Sequence, residues 1–358
     1  MPAILKNARK YGYSSARVNA MKSRLLSQKK LQEISGKRDI NEIISMLSDE
    51  DYRKDLEEFE GMKSKSEMVE FALSLNLARN LRKLVTLAKG DDIEILRSIT
   101  GRWSMHNIRI AIEAKDRKKD FDSISKYMIN VGRYGNLVIK EAMREDSVES
   151  MLHKLMINSP YKKMLQDASE AYAKTQNIFE ALSAMDRRYY QNIAELSEKL
   201  DSEEHWSASK VIKMEIDMRN VLTAIRAKKA GIKLSGFSSL LIQNGNIPKN
   251  EIENIYNGSK DLSEMVLQLK FFDLGDSLAF YNNDESKRLL VFEVGIRRAM
   301  IKSAEKYTGH RILSFATILS YLYMKEAEVY LLRIIANGSE YGLDSKDMNM
   351  LIGWKTAE

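Results

Sequence analysis

Proline is scarce in this chain, and that scarcity limits the possible folds more than any other feature. Only Pro2, Pro160 and Pro248 occur among 358 residues. Because proline disrupts helix interiors, the long stretches between these residues can run as helices. Apolar residues recur there every three or four positions, as between residues 68 and 88, and we find no alternating run typical of a strand. The sequence therefore predicts an all-α protein.

Composition alone excludes several kinds of active site. The chain contains no cysteine, so it has no disulfide, no catalytic thiol and no cysteine-ligated metal. Its four histidines are too far apart in sequence for any two to share a helical turn, and phosphate-loop and nucleophile motifs are missing. We therefore expect no catalytic residues, no metal, no cofactor and no small-molecule substrate, and we interpret the chain as not an enzyme.

Charge and hydropathy argue against a membrane-embedded chain. Lys and Arg number 57 against 50 Asp and Glu, a net charge of +7, and this modest excess favours acidic partners only weakly. The uncharged, largely apolar stretch 312–324 is shorter than the roughly 20 apolar residues of a transmembrane helix. We expect a soluble chain that reaches a membrane only through a partner.

Two different sequence elements recur with nearly the same spacing. The first opens with Asp or Ser, a favourable helix N-cap, and closes on Leu. Its copies lie at 39–47, 147–155 and 261–269. Copies of the second lie within 107–115, 217–228 and 328–338, with a partial copy at 16–26. Because both elements share a period of roughly 110 residues, they indicate an internal repeat.

The repeat predicts three similar helical units, each a long helix pair followed by short helices. The three units and an N-terminal partial unit cover 61–168, 169–278, 279–358 and 1–60. The partial unit is expected to complete the last one and so close a ring, which suits a pseudo-threefold body around a central axis. In the first full unit, helices are predicted over 66–100 and 102–118, with Gly101 at the turn between them.

Three charged residues occupy matching places in the repeat. Glu215 and Glu326 each lie on the apolar stripe of a predicted helix, and Arg102 is at the equivalent position in the remaining unit. A carboxylate on an apolar face needs a partner. One interpretation is an ordinary buried or rim ion pair. The other is the polar lining of a central pocket that receives a binding partner; catalysis is the weakest of the three.

Basic residues gather near the N-terminus, where Arg17, Lys22 and Arg24 follow Tyr11 and Tyr13. Basic and aromatic side chains together can bind nucleic acid. The segment is short, however, and acidic residues are nearly as frequent as basic ones in the whole chain. We therefore interpret the three basic residues as a solvated or partner-facing surface.

The segments that carry the repeat also resemble a known family. YGYSSARVNAMKSRLL (11–26), EIDMRNVLTAIRAKKAGI (215–232) and ILSYLYMKEAEVYLLRIIANGSEYGL (318–343) are similar to the C subunit of archaeal-type ATP synthases, which corresponds to the d subunit of vacuolar ATPases. The likeness spans nearly the whole chain. The unit at 61–168 departs most, because it has Ser104 where the other two have an acidic residue.

The resemblance implies a funnel of three helical units and a non-catalytic rotor component of an A-type ATP synthase or V-type ATPase. In that role the chain is the socket between the central shaft subunits, of D and F type, and the membrane proteolipid ring, and it transmits torque for ATP synthesis and for proton or other ion transport. The resemblance also implies a peripheral position at the cytoplasmic face of the cell membrane and no nucleic-acid partner.

Two alternatives stay open on the residues alone. One is an all-helical repeat scaffold that binds nucleic acid or another protein. The other is a helical-repeat enzyme or regulator whose site is assembled from residues distant in sequence. Binding that weakens steeply with salt would indicate a nucleic-acid scaffold, and a small ligand that raises thermal stability would indicate an enzyme or regulator.

Overall fold

The computed structural model describes residues 3–199, 205–261, 264–265, 268–269, 288–308, 313–343, 348 and 352. Every regular element within these ranges is helical, which confirms the predicted all-α class. The chain folds into two compact units. The end unit joins Met1–Leu73 to Leu200–Glu358, and the middle unit is Ser74–Lys199. The predicted partition into three repeats and a partial one stays a prediction.

The helices are numbered along the chain. They are α1 (Ala3–Lys22), α2 (Gln28–Ser35), α3 (Ile40–Ser48), α4 (Arg53–Glu57), α5 (Lys65–Leu87), α6 (Asp91–Asp116), α7 (Asn136–Ala142), α8 (Val148–Met156), α9 (Lys162–Thr175), α10 (Ile178–Lys199), α11 (Trp206–Lys229), α12 (Leu234–Leu240), α13 (Lys249–Gly258), α14 (Arg288–Thr308) and α15 (Phe315–Glu340), with a 3-10 turn at Ser125–Tyr127. Helices α1 to α4 and α11 to α15 belong to the end unit and α6 to α10 to the middle unit, and α5 crosses the boundary.

The core of the end unit forms where α11, α14 and α15 pack against one another. Helix α15 is buried over most of its circumference, and its large side chains Phe315, Tyr321 and Tyr323 are no more than 2% exposed. A helix that is apolar on all sides belongs in a core. Helices α1, α2 and α3 also contact α15, so residues near one end of the chain cover a helix near the other end.

The core of the middle unit lies between α6, α8, α9 and α10. Tyr134, Met151 and Leu152 are fully buried there. Across the packed pair α9 and α10, Arg188 Nε donates to Asp167 Oδ2 at 2.6 Å. This hydrogen bond, together with the carboxylate charge, raises the pKa of Arg188.

The predicted turn at Gly101 is wrong. Helix α5 ends at Leu87 and α6 runs unbroken from Asp91 to Asp116, so the turn lies at Gly90. Gly90 has φ of 56°, a backbone conformation that favours glycine, and acidic residues in the first turn of α6 stabilise its N-terminus. Gly101 lies inside α6 with the Tyr161 hydroxyl against its Cα, in the space that a Cβ would need. Its role is close packing rather than chain reversal.

The predicted helix caps form. Asp39 accepts a hydrogen bond from Asn41 N at 2.9 Å at the start of α3, and Ser147 forms a reciprocal capping box with Ser150 at the start of α8. Asp261, which opens the third copy of this sequence element, accepts from Glu264 N at 2.9 Å. Such caps satisfy backbone N–H groups that the helix leaves unpaired.

Equivalent hydrogen bonds recur at the positions that the repeat aligns. Asn107 in α6 donates to Ile129 O and accepts from Ile129 N; Asn220 in α11 makes the same two bonds to Ile242. In each case a buried side-chain amide fixes a loop further along the chain: the loop before α7 for Asn107, and the loop between α12 and α13 for Asn220.

A second recurrence lies two turns further along each helix. Lys115 Nζ donates to Met143 O at 3.1 Å, and Lys228 Nζ donates to Tyr256 O at 2.8 Å. At the aligned position in α15, Ser339 Oγ donates to Arg38 O at 2.6 Å. In the last case the carbonyl comes from the N-terminal part of the chain.

Candidate functional site

The position that the repeat aligns at Ser104, Asp217 and Glu328 carries different chemistry in each copy. In α11, Asp217 accepts hydrogen bonds from Asn246 N at 3.1 Å and from Ile247 N at 3.0 Å. The carboxylate therefore anchors the loop before α13. Burial raises the pKa of Asp217, and the hydrogen bonds from Ile247 and Asn246 oppose that rise.

In α15, Glu328 anchors the N-terminal part of the chain. Its carboxylate accepts hydrogen bonds from Leu26 N and from the Tyr52 hydroxyl, and Lys325 Nζ lies 2.7 Å from Glu328 Oε1. Lys325, Glu328 and Tyr52 are 1%, 4% and 1% exposed, so this is a buried ion pair whose polar atoms are satisfied. Burial first, and then the charge of Glu328, raises the pKa of Tyr52 well above its usual value.

In α6, Ser104 replaces the carboxylate. Its hydroxyl donates to Val131 O at 3.4 Å and lies against Gly132, and the Tyr161 hydroxyl lies against the nearby Gly101. Burial raises the pKa of Tyr161. One turn before Ser104, Gly101 aligns with Met214 and Lys325, so two neighbouring positions carry smaller side chains in the middle unit than in the end unit.

A cleft of about 1180 Å³ opens at this place in the middle unit. Gly101, Ser104 and Gly132 lie along it, and α5, α6 and α10 supply most of its walls. Arg82, Arg97 and Arg133 line it together with two glutamates, Glu94 and Glu195. Nothing in the sequence indicates this cleft except the missing acidic residue at Ser104.

Glu215 and Glu326, which occupy matching places in sequence, differ in environment. Glu215 is 7% exposed, and the hydroxyl of Tyr323 in α15 donates to it at 3.4 Å. Glu326 is half-buried on α15. Arg102 is half-buried on α6, in the middle unit. Whether the three line a common pocket stays a prediction.

The three basic residues near the N-terminus also differ. Arg17 is exposed on α1, on the same face as the exposed Tyr13 one turn earlier. Arg24 is exposed and lies 3.8 Å from Asp51. Lys22 instead points inward and donates to Ser320 Oγ of α15 at 2.9 Å. Burial lowers the pKa of Lys22, and the charge of Glu305 opposes that change.

Sequence reasoning did not single out the buried cluster of Lys325, Glu328 and Tyr52. Its signal is a Lys and a Glu three residues apart on a helix whose other faces are almost entirely apolar. Such spacing places both side chains on one face. The contact of Tyr52 with these two residues could not be predicted from the sequence, because it joins positions separated by most of the chain.

The described residues contain no group of three or more His, Asp or Glu side chains arranged to hold a metal ion. Nor does any helix among them combine the length and apolar character needed to cross a bilayer. The described residues thus form an all-helical protein in which recurring internal anchors and buried polar clusters fasten helices to loops.

Comparison with known proteins gives the family. Residues 14–351 match the profile of the ATP synthase (C/AC39) subunit family. The C subunit of the A-type ATP synthase of Methanococcoides burtonii is 25% identical over 337 residues, which cover 94% of this chain and 92% of the relative. The corresponding protein of Thermococcus onnurineus is 27% identical over 345 residues, covering 96% and 90%.

The chain belongs to the ATP synthase (C/AC39) subunit family. This confirms the resemblance drawn from the N-terminal and repeat segments. It also confirms that the chain is a non-catalytic component of an ATP synthase complex rather than the catalytic one. Other subunits of that complex are therefore its partners.

Proposed function

We propose that the chain is the central-stalk socket of a rotary A-type ATP synthase. In this role it seats the end of the central shaft, formed by subunits of D and F type, and couples the shaft to the membrane proteolipid ring. It transmits torque between ATP chemistry and ion transport and lies peripherally at the cytoplasmic face of the membrane. The observation that carries the proposal is the family match over residues 14–351.

The contacts of the end unit support this role physically. A coupling element must resist twisting, and buried polar anchors fix the angle between a helix and its neighbours. Glu328 ties α15 to the N-terminal segment at Leu26 and Tyr52, while Asp217 ties α11 to the loop at Asn246. We propose that these anchors belong to three similar units arranged as a pseudo-threefold funnel around an axial pocket.

Partner contacts are proposed at the six predicted residues. The exposed face of α1 that carries Tyr13 and Arg17, together with Arg24, offers cationic and aromatic groups for an acidic partner surface. Glu326 and Arg102 are half-buried and can face a shaft end. Lys22 and Glu215 already have partners within the end unit, so they would act by holding α15 in place.

Co-purification tests the proposal. The tagged chain is isolated from gently solubilised membranes of its native host. We expect the catalytic head, a coiled-coil shaft and a proteolipid ring in one ATPase-active particle. Recovery of the chain as a clean monomer, or together with nucleic acid, would contradict the proposed function.

A variant pair tests the surface of α1. Because Arg17 and Arg24 are exposed, Arg17→Glu combined with Arg24→Glu should leave the fold intact and reduce recovery of the partner subunits. Lys54→Glu, at an exposed basic residue of α4, is the matched control and should leave recovery unchanged. Equal recovery with both variants would remove these arginines from the interface.

A further inference from the structure

Small residues line the cleft of the middle unit at positions where the end unit has large or charged ones. Ser104 aligns with Asp217 and Glu328, and Gly101 aligns with Met214 and Lys325. In the end unit the carboxylates at this position hold other segments through backbone N–H groups: Asp217 holds the loop before α13, and Glu328 holds the N-terminal segment. In the middle unit the chain supplies no carboxylate there.

The surroundings of that position are the same in kind. Gly245 packs against the carboxylate of Asp217, and Gly132 packs against the hydroxyl of Ser104. Tyr52 donates its hydroxyl to Glu328, and the Tyr161 hydroxyl lies against Gly101, one turn before Ser104. The middle unit therefore has a glycine beside this position, as Asp217 does, and a tyrosine near it, as Glu328 does, although its own side chain there is neutral.

Three arginines and two glutamates line the cleft, so the charge of its lining is positive by one. Arg82 and Arg133 each donate one N–H to a carbonyl oxygen, of Asn130 and of Ile157, at 2.8 Å. A guanidinium has five N–H donors, so both retain capacity for an anion. Arg97 is exposed at the cleft and forms no ion pair with any residue that the structure describes.

The size and walls of the cleft indicate the kind of occupant. Its volume of about 1180 Å³ exceeds the roughly 300–1,000 Å³ of most small-molecule sites. Val85, Ile93, Ile193 and Leu196 give it apolar walls beside the arginines. An amphipathic polypeptide segment with an acidic side chain matches both features.

We propose that the cleft of the middle unit binds an acidic side chain of a partner polypeptide, whose carboxylate takes the place that Asp217 and Glu328 occupy in the end unit. Guanidinium groups of Arg97 and Arg133 pair with this carboxylate, and the apolar walls receive the neighbouring residues of the same segment. The proposal goes beyond the socket role and does not depend on it, because it rests on contacts within the middle unit alone.

The test is a titration of the isolated full-length chain with the acetylated and amidated form of glutamate, followed through backbone amide shifts in transverse-relaxation-optimised NMR spectra. We expect saturable shifts at Ser104, Gly132 and Arg133. The glutamine analogue of the probe, which lacks the charge, should not produce them. Arg97→Glu should raise the probe concentration needed for half-saturation by about tenfold or more, because it removes a charge-assisted hydrogen bond and adds repulsion.

A second variant fills the site from within. Ser104→Asp places a carboxylate on α6 as in α11, so the probe should no longer shift Gly132 or Arg133. Arg97 is exposed, so Arg97→Glu keeps the test decisive should Ser104→Asp fold poorly. Arg117→Glu, at an exposed arginine that ends α6 outside the cleft, is the matched control and should bind as the parent chain does.

Three results would overturn the proposal. The first is the lack of any saturable shift at the cleft. The second is a response to the glutamine analogue that equals the response to the glutamate probe, or a loss of binding in Arg117→Glu that equals the loss in Arg97→Glu. The third is tighter binding of inorganic phosphate than of the glutamate probe, which would assign the cleft to a free or lipid-borne phosphate instead of a polypeptide carboxylate.

Discussion

One aligned position, occupied by Ser104, Asp217 and Glu328, is used in three ways by this chain. Asp217 and Glu328 both accept backbone N–H groups, but Glu328 also pairs with a lysine, and Ser104 has a neutral hydroxyl. A carboxylate removed from water is stable only when its charge and lone pairs are matched. The residue type at this position therefore determines how each helix holds the segment packed against it.

The buried pair should dominate local stability. Glu328→Gln leaves Lys325 buried without its counter-charge, so we expect a loss of about 3–5 kcal/mol in the free energy of unfolding, measured with urea. The double variant Lys325→Met and Glu328→Gln should recover a large part of that loss, because Met is the aligned residue at position 214.

The control is the partly exposed pair Lys249 and Glu253, whose atoms lie 3.6 Å apart. Glu253→Gln should cost less than about 1 kcal/mol. If Glu328→Gln also lowers the free energy of unfolding by less than about 1 kcal/mol, the buried pair does not fasten α15 to the N-terminal segment.

Asp217 gives a prediction on pH. Burial raises its pKa above the usual 3.8, so the folded state binds this proton more tightly than the unfolded state. The contribution of Asp217 to stability should therefore fall as pH rises through the window just above 3.8. Relative to Asp217→Asn, the parent chain should be more stable at acidic pH than at neutral pH. A stability difference that is constant, or that grows with pH, would contradict the raised pKa.

At the scale of helices and loops, the side-chain amides of Asn107 and Asn220 act as clamps. Each is buried and bonds both backbone groups of one isoleucine in the loop before α7 or α13, and Asn107 also donates to Tyr134 O at 2.7 Å. A loop held in this way orders the short helix that follows, α7 or α13. The same clamp occurs in both units, and it accounts for the shared asparagine at the start of the similar segments 107–115 and 220–228.

Removal of either clamp should destabilise the protein. We expect Asn107→Ala and Asn220→Ala each to cost about 1–3 kcal/mol, because each leaves buried backbone groups unpaired. Asn107→Ala should cost more, since Asn107 makes one bond more. Asn254→Ala, at an exposed position of α13, serves as the control and should have little effect in the same chemical denaturation experiment. Equal effects at all three sites would show that the amides are not clamps.

Helices and caps can be predicted well from the sequence, because both depend on nearby residues. Asp39 and Ser147 cap helices as their residue types suggest. The turn expected at Gly101 does not form, since that glycine is required by the distant Tyr161. Glu215 and Glu326 occupy the same place on their stripes, yet only Glu215 is buried, because long-range packing determines which helix covers each one.

At the scale of the whole molecule, the end unit is built from both ends of the chain. Helix α15 would expose its apolar surface without α1, α2 and α3, and Glu328 receives its donors from Leu26 and Tyr52. The segment that resembles the family at the N-terminus is therefore also the segment that completes the packing of α15. Since such contacts join residues far apart in sequence, as in the 302-residue separation of Leu26 and Glu328, periodicity alone could not reveal them.

The proposed socket role can be tested through the coupling between ATP hydrolysis and ion transport. Membrane vesicles that contain the complete synthase of the native host are compared with vesicles from a strain that lacks this chain, and ATP hydrolysis and ATP-driven ion uptake are measured in parallel. The socket role predicts that the catalytic head still hydrolyses ATP without the chain, whereas ion uptake is lost and returns when the chain is supplied. Ion uptake that persists without the chain would contradict the account.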